Sequence, residues 1–188
     1  MDSVLTEKAR KYVLDKIDNY EGKLGHHFLR AMILAMEKQA LQYCETHPKL
    51  KKHALLMGIY FHELGRLESE ERDHTKHSVK LFDEYVAGKD LTPGMKEIVH
   101  DCCYNHLVDG IPVSKEGTFV KNWHWAISFE PESLLARLED LQHEGNSFVE
   151  AKQKLFAKLE EDLRSIADDE LRETARETLQ HLREALKN

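Results

Sequence analysis

Apolar residues recur at helical spacing along almost the whole chain, and this pattern constrains the fold more than any other feature. Ser3 can cap a first helix whose apolar positions include Leu5, Ala9, Val13 and Ile17. No alternating strand pattern exceeds a few residues. The sequence therefore predicts an all-α fold, a bundle of helices around one core.

Glycine and proline divide this pattern into separate segments. Helices are predicted near 3–20, 26–44, 51–64, 74–86, 93–106, 131–143, 147–166 and 169–186. The third helix is apolar on nearly every face, so we expect it at the centre of the bundle, with Gly65 as its C-cap. Residues 107–122 show no period, and Gly110, Pro112 and Gly117 predict a loop that could cover a substrate. Residues 123–129 are apolar and ambiguous, and could form a short helix.

The length of 188 residues suits one helical domain, placed at 1–145, with a C-terminal helical extension at 146–188. The extension is expected to pack on the same domain or on a partner subunit, in which case its apolar stripe would form a homodimer seam. A net charge of −7 argues against a nucleic-acid polymer or an anionic membrane as partner.

The cysteines and the N-terminal residues indicate in which cellular compartment the protein is expected. The three cysteines are an odd number and two of them are adjacent, which argues against a disulfide framework. The first residues have no apolar segment typical of a secretory signal, and no run approaches the length of a membrane span. A cytoplasmic location is the expectation.

Histidines stand near the ends of the predicted helices. His27 lies near the start of the second helix, His62 and Glu63 end the third, His74 begins the fourth and His106 ends the fifth. In an antiparallel bundle, the end of one helix neighbours the start of the next, so these side chains could meet at one rim. Imidazole and carboxylate ligands together suit Fe, Mn, Zn, Ni or Co.

A plainer interpretation of the 62–66 segment is a polar helix end. In that case Arg66 pairs with Glu63 at a spacing worth about 0.2–0.5 kcal/mol. This explains the carboxylate but not His62, which directly follows the apolar residues Ile59, Tyr60 and Phe61. We therefore favour a metal ligand at His62.

These residues resemble the HD-domain superfamily of metal-dependent phosphohydrolases. The resemblance is carried by His27-Phe-Leu-Arg30, His62-Glu63-Leu-Gly65-Arg66, Asp73-His74, Asn105-His106 and Asp109-Gly110, and it covers roughly residues 25–143. The family has a His-Asp doublet where this chain has His62-Glu63. Its late aspartate corresponds best to Asp140, with Glu139 as the rival.

The resemblance implies an HD-domain-like bundle and a ligand set. His27, His62, Glu63 and Asp140 would bind one divalent ion, and His74 and His106 a second, with Glu63 as the bridge. Arg66 would contact phosphate. One or two ions of Fe, Mn, Ni, Co, Zn or Mg are implied as cofactors.

The activity implied is hydrolysis of a nucleotide or another small phosphate ester through a metal-activated water, with Glu63 and Arg66 in catalytic roles. Two alternatives stay open: a ligand- or metal-binding module of the same fold without catalysis, and a diiron oxygenase on the same scaffold. Trp123 and Trp125 flank His124, and core or interface packing is the favoured interpretation of this pair over stacking on a base or another ring.

Overall fold

The computed structural model describes residues 2–21, 26–69 and 74–186, and within these ranges the chain forms helices and no strand. The helices are α1 (Asp2–Asp18), α2 (His26–Thr46), α3 (Lys52–Phe61), α4 (His74–Val86), α5 (Met95–Asn105), α6 (Lys115–Ala126), α7 (Pro131–His143), α8 (Phe148–Ser165) and α9 (Asp169–Ala185). Single 3-10 turns at Leu64–Leu67 and Ile127–Phe129 follow α3 and α6. The predicted all-α class is confirmed.

Helix α3 lies at the centre of the bundle, as its apolar sequence predicts. Every residue from Ala54 to Phe61 is buried, and α1, α2, α4, α5 and α6 all pack against the helix. The helix ends at Phe61, three residues before the predicted end, because the chain tightens there into the 3-10 turn. Gly65 therefore lies inside that turn and is not the C-cap of α3.

The prediction of a loop over the whole of 107–122 is wrong from residue 115 onwards, where α6 begins. Ser114 caps α6 by accepting a hydrogen bond from the Gly117 amide, and Asp101 of α5 accepts hydrogen bonds from the Val113 and Ser114 amides. Tertiary contacts with α5 thus fix the start of a helix that has weak periodicity of its own.

The C-terminal helices pack on the rest of the same chain. Helices α8 and α9 lie against α6, α7 and the 3-10 turn after α6. They form a second apolar cluster that includes Ala126, Phe129, Leu155, Leu159 and Leu179. None of the helices in the described part of the chain is long and apolar enough to cross a membrane.

Helices α3 and α5 approach most closely at Gly58. A Cβ atom at Gly58 would lie 2.6 Å from Cys102 Sγ and 2.8 Å from Cys102 Cβ, nearer than side-chain atoms normally approach. This close approach brings together the ends of α3 and α5, where His62 and His106 stand.

Replacement of Gly58 by alanine is expected to lower the free energy of unfolding by about 1–3 kcal/mol, because the added methyl group overpacks the α3–α5 contact. Thermal or urea unfolding of the purified variant measures the effect. The double variant Gly58→Ala/Cys102→Ala removes the sulfur but keeps the Cβ of residue 102, so we expect partial recovery. A fully destructive or a neutral single variant would contradict the packing described here.

Candidate metal centre

His62 and His106 are held in the same way, each at the residue that follows its helix. His62 Nδ1 lies 2.8 Å from the Ile59 carbonyl oxygen, and His106 Nδ1 lies 2.8 Å from the Cys103 carbonyl oxygen. Carbonyls in the last turn of a helix lack intrahelical partners, so an imidazole N–H at this position satisfies one of them. Because Nδ1 donates in both residues, each Nε2 carries a lone pair and points away from its own helix end.

The start of α4 is fixed against the end of α3 by Ser78. Its hydroxyl donates to the His62 carbonyl oxygen at 2.9 Å and accepts from the Gly65 amide at 2.9 Å. A Cβ at Gly65 would lie 2.5 Å from the Ser78 nitrogen and would also overlap the His74 carbonyl oxygen. Glycine at 65 therefore allows α4 to approach closely enough for His74 to reach the end of α3.

The Glu63 carboxylate lies among four histidines. Its Oε1 atom is 2.8 Å from His106 Nε2, 3.1 Å from His74 Nε2 and 4.0 Å from His124 Nδ1. Its Oε2 atom accepts a hydrogen bond from Arg66 Nε. Glu63 thus has one oxygen on the imidazoles and the other on a guanidinium.

The ligand atoms fall into two groups that share Glu63. Those of His62, Glu63 and His124 lie within 4.8 Å of one another, and so do those of Glu63, His74 and His106. The two histidine pairs have equal spacing: His62 Nε2 lies 3.3 Å from His124 Nδ1, and His74 Nε2 lies 3.3 Å from His106 Nε2. All five side chains belong to residues that are at most 7 % exposed. These buried groups could hold a metal ion.

Burial keeps the imidazoles of His62, His106 and His124 neutral. Desolvation, followed by the nearby His74, lowers the pKa of His106 to about 3. Desolvation, together with the neighbouring His106, also lowers the pKa of His62 and of His124 well below the ordinary value. Neutral imidazole is the form that binds metals.

The contact between His106 and Glu63 shows how well these side chains suit a cation. The neutral His106 ring donates its single N–H, at Nδ1, to the Cys103 carbonyl oxygen. Its Nε2 atom therefore faces the Glu63 oxygen with a lone pair, at a distance of 2.8 Å. Two acceptors at this distance repel each other, whereas a divalent cation between them would bind both. The residues present therefore fit a metal ion.

The structure brings together four of the six predicted ligands, namely His62, Glu63, His74 and His106. The other two, His27 and Asp140, lie in a separate group with His143. His27 Nδ1 is 2.7 Å from Asp140 Oδ1, and the Phe28 amide donates to Asp140 Oδ2 at 2.8 Å. This group could hold an ion of its own; ligation by His27 and Asp140 stays a prediction.

Two further residues of the family-like pattern lie elsewhere. Glu139, the rival to Asp140, lines a groove between α2 and α7 beside His27 and belongs to neither group that contains Glu63. Asp73 lies outside the described residues. Arg66 pairs with Glu63, as the plainer interpretation of the 62–66 segment predicts, and its contact with phosphate stays a prediction.

His124 is the residue of this cluster that sequence reasoning missed. It lies on α6, the helix that replaces the second half of the predicted loop, and its ring centroid is 5.4 Å from that of His62 and 4.9 Å from that of His106. The sequence does contain an indication of this position. His124 stands between two tryptophans and His62 follows three apolar residues, so both histidines are expected to be buried. A buried histidine next to other donors is a candidate metal ligand in either case.

A pocket of about 230 Å³ opens beside the centre. It lies where α2, α6, α7 and α8 meet the end of α3. Its lining includes Glu63, Arg66, His124, Trp125, Arg137, Lys158 and Asp162. Two donors of the candidate centre therefore face the same cavity as three cationic side chains.

Comparison of the chain with protein-family models, with curated proteins and with solved structures gives no significant match. The function is therefore inferred from the geometry and chemistry of the residues in this centre.

Proposed function

We propose that this protein is a metal-dependent phosphohydrolase that acts on a small phosphate ester in the pocket beside Glu63. The observation that carries the proposal is the position of the Glu63 carboxylate, among four buried histidines and at the wall of a pocket lined by cations. Metal-ligating side chains and anion-binding side chains that converge on one cavity are the combination that phosphoryl hydrolysis requires.

The donor groups suit one or two ions. His62, Glu63 and His124 would hold one, and Glu63, His74 and His106 a second, so that Glu63 is the common ligand. Nitrogen-rich sites with a carboxylate accept several divalent ions, including Fe, Mn, Co, Ni and Zn. When bound, a divalent ion supplies an activated water and stabilises negative charge on the phosphoryl oxygens.

The protein's own side chains position the reacting groups. The hydrogen bonds to the Ile59 and Cys103 carbonyls fix the imidazoles of His62 and His106, and such partners commonly change metal affinity about 10–100-fold when they are lost. Arg66 holds Glu63 through Nε alone. Among the described residues its two terminal nitrogens have no acceptor, and the side chain lines the pocket, where it can bind a phosphoryl oxygen.

The test is metal content and hydrolysis measured on the same protein. We expect purified protein to contain about one to two divalent ions per chain by elemental analysis and to hydrolyse members of a phosphoester panel in a chelator-sensitive manner. His62→Ala should lose hydrolysis and the ion of the group that His62 shares with Glu63 and His124. His181→Ala, which removes an exposed histidine of α9, is the matched control and should keep both.

Three outcomes would overturn the proposal. Protein that contains metal but hydrolyses no phosphoester would leave a binding module without this catalysis, and oxygen consumption by an iron-loaded form would favour the oxygenase alternative. Protein that takes up no metal in supplemented medium would remove the metal centre altogether.

A further inference from the structure

We propose that the pocket beside Glu63 is a binding site for a phosphomonoester dianion, completed by Arg137 of α7 and Lys158 of α8, with Asp162 as the residue that positions both cations. The identification of the anion as a phosphoryl group rests on the proposed function. The anion site itself rests on the contacts of these side chains, which come from a part of the chain outside the predicted ligand set.

Each carboxylate oxygen of Asp162 contacts a different cation. Arg137 Nη1 donates to Asp162 Oδ2 at 2.9 Å, and Lys158 Nζ lies 3.1 Å from Asp162 Oδ1. The Asp162 side chain is 1 % exposed, whereas that of Lys158 is 43 % exposed. The buried Asp162 carboxylate thus fixes the position of one cation inside the pocket and of one at its rim.

Arg137 is held on a second side by an aromatic ring. Its guanidinium carbon lies 3.8 Å from the centroid of the Phe28 ring, and Phe28 also lines the pocket. Among the described residues, Nη1 is the one Arg137 nitrogen that donates to an acceptor. The guanidinium is therefore fixed in orientation while most of its five N–H donors stay available to a ligand.

The two guanidiniums that line the pocket repel each other. Arg66 and Arg137 line the same cavity, and neither guanidinium has all of its N–H donors paired among the described residues. Two like charges held near each other in a half-enclosed cavity are stabilised by an anion that bridges them.

The charge balance of the lining favours a dianion. Three cations, Arg66, Arg137 and Lys158, face two carboxylates, Glu63 and Asp162, and the divalent ions proposed at Glu63 would add positive charge. A phosphomonoester carries a charge of about −1.5 to −2 at neutral pH, whereas a diester carries a single negative charge. A cavity of about 230 Å³ accommodates a small ester and no polymer.

The test uses the full chain and inorganic phosphate as the probe. We expect titration calorimetry to show phosphate binding to the metal-loaded protein, weakened about tenfold by Lys158→Ala and by Asp162→Asn. Lys158→Arg should restore binding. Lys154→Ala, which removes an exposed lysine one turn earlier on α8, is the matched control and should bind phosphate as the unmodified chain does.

Kinetics separate a positioning role from a structural one. Asp162→Asn and Lys158→Ala should raise KM for a monoester while circular dichroism stays unchanged, and monoesters should be preferred over diesters in kcat/KM. Phosphate binding that depends on Lys158 without any hydrolysis would support the anion site and overturn the proposed function. Phosphate affinity and KM unchanged by both variants, or a preference for diesters, would overturn this inference even in an active enzyme.

Discussion

Replacement of Glu63 by glutamine is expected to reduce hydrolysis and metal affinity each by at least about 100-fold, more than the loss of an outer hydrogen-bonding partner costs. Glu63 belongs to both ligand groups, so one substitution removes the charged ligand common to the two proposed ions. Elemental analysis and activity on the same preparation measure the two losses.

The glutamine variant also has a distinctive expected stability. Its amide oxygen can still accept from Arg66 Nε, while its NH₂ group can donate to His106 Nε2, where the carboxylate offers only a second acceptor. Without added metal, the variant should therefore melt at or above the temperature of the unmodified protein. Added metal should raise the melting temperature of the unmodified protein more than that of the variant, because the variant lacks the charged ligand common to both Glu63 groups.

A lower melting temperature of Glu63→Gln in metal-free buffer would contradict the contact between acceptors at Glu63 and His106. Retention of metal and activity by the variant would contradict the role of Glu63 as the shared ligand. Arg66→Lys is a useful companion, since it keeps a positive charge near Glu63 while it removes the planar fork. It should keep the metal and raise KM.

Much of the fold follows from local pattern. The apolar sequence of α3 predicts its central place, and glycine and proline mark most of the helix boundaries. The same local pattern places His62 and His106 directly after α3 and α5, where the terminal carbonyls are available to their Nδ1 atoms. Four of the five residues of the centre, namely His62, Glu63, His74 and His106, could be predicted because they stand at or next to helix ends.

Helix α6 could not be predicted from its own sequence. Its start depends on Asp101 of α5, which binds the Val113 and Ser114 amides across the bundle, so the decisive contacts lie outside the segment. His124 was missed with it, because a residue assigned to an ambiguous segment has no expected neighbours.

His27 illustrates a different limit. Neighbouring residues of a helix point about 100° apart, so a choice of one residue decides which side of α2 faces the centre. The structure turns Phe28 into the pocket beside Glu63, whereas His27 faces the groove between α2 and α7. The spacing of residues along the chain does not determine how α2 is rotated about its axis, and so cannot predict which of the two residues faces Glu63.

Two variants, His124→Ala and Asp140→Asn, show whether His124 or Asp140 is a ligand at the Glu63 centre. We expect His124→Ala to lower metal affinity and hydrolysis by at least about 100-fold, because it removes one of three donors from the group with His62 and Glu63. Asp140→Asn should leave hydrolysis within about twofold of the unmodified protein, since its contacts are with His27 and the Phe28 amide.

Metal stoichiometry separates the two residues further. If His27, Asp140 and His143 hold an ion of their own, Asp140→Asn loses one equivalent of metal while hydrolysis continues, and a double variant with His124→Ala also loses the ion of the group with His62 and Glu63. Loss of hydrolysis in Asp140→Asn with full activity in His124→Ala would reverse the assignment, since it would place the family-like aspartate at the reaction and leave His124 as a buried neighbour. The outcome depends on the geometry of α6 and α7, because these helices carry His124 and Asp140 respectively.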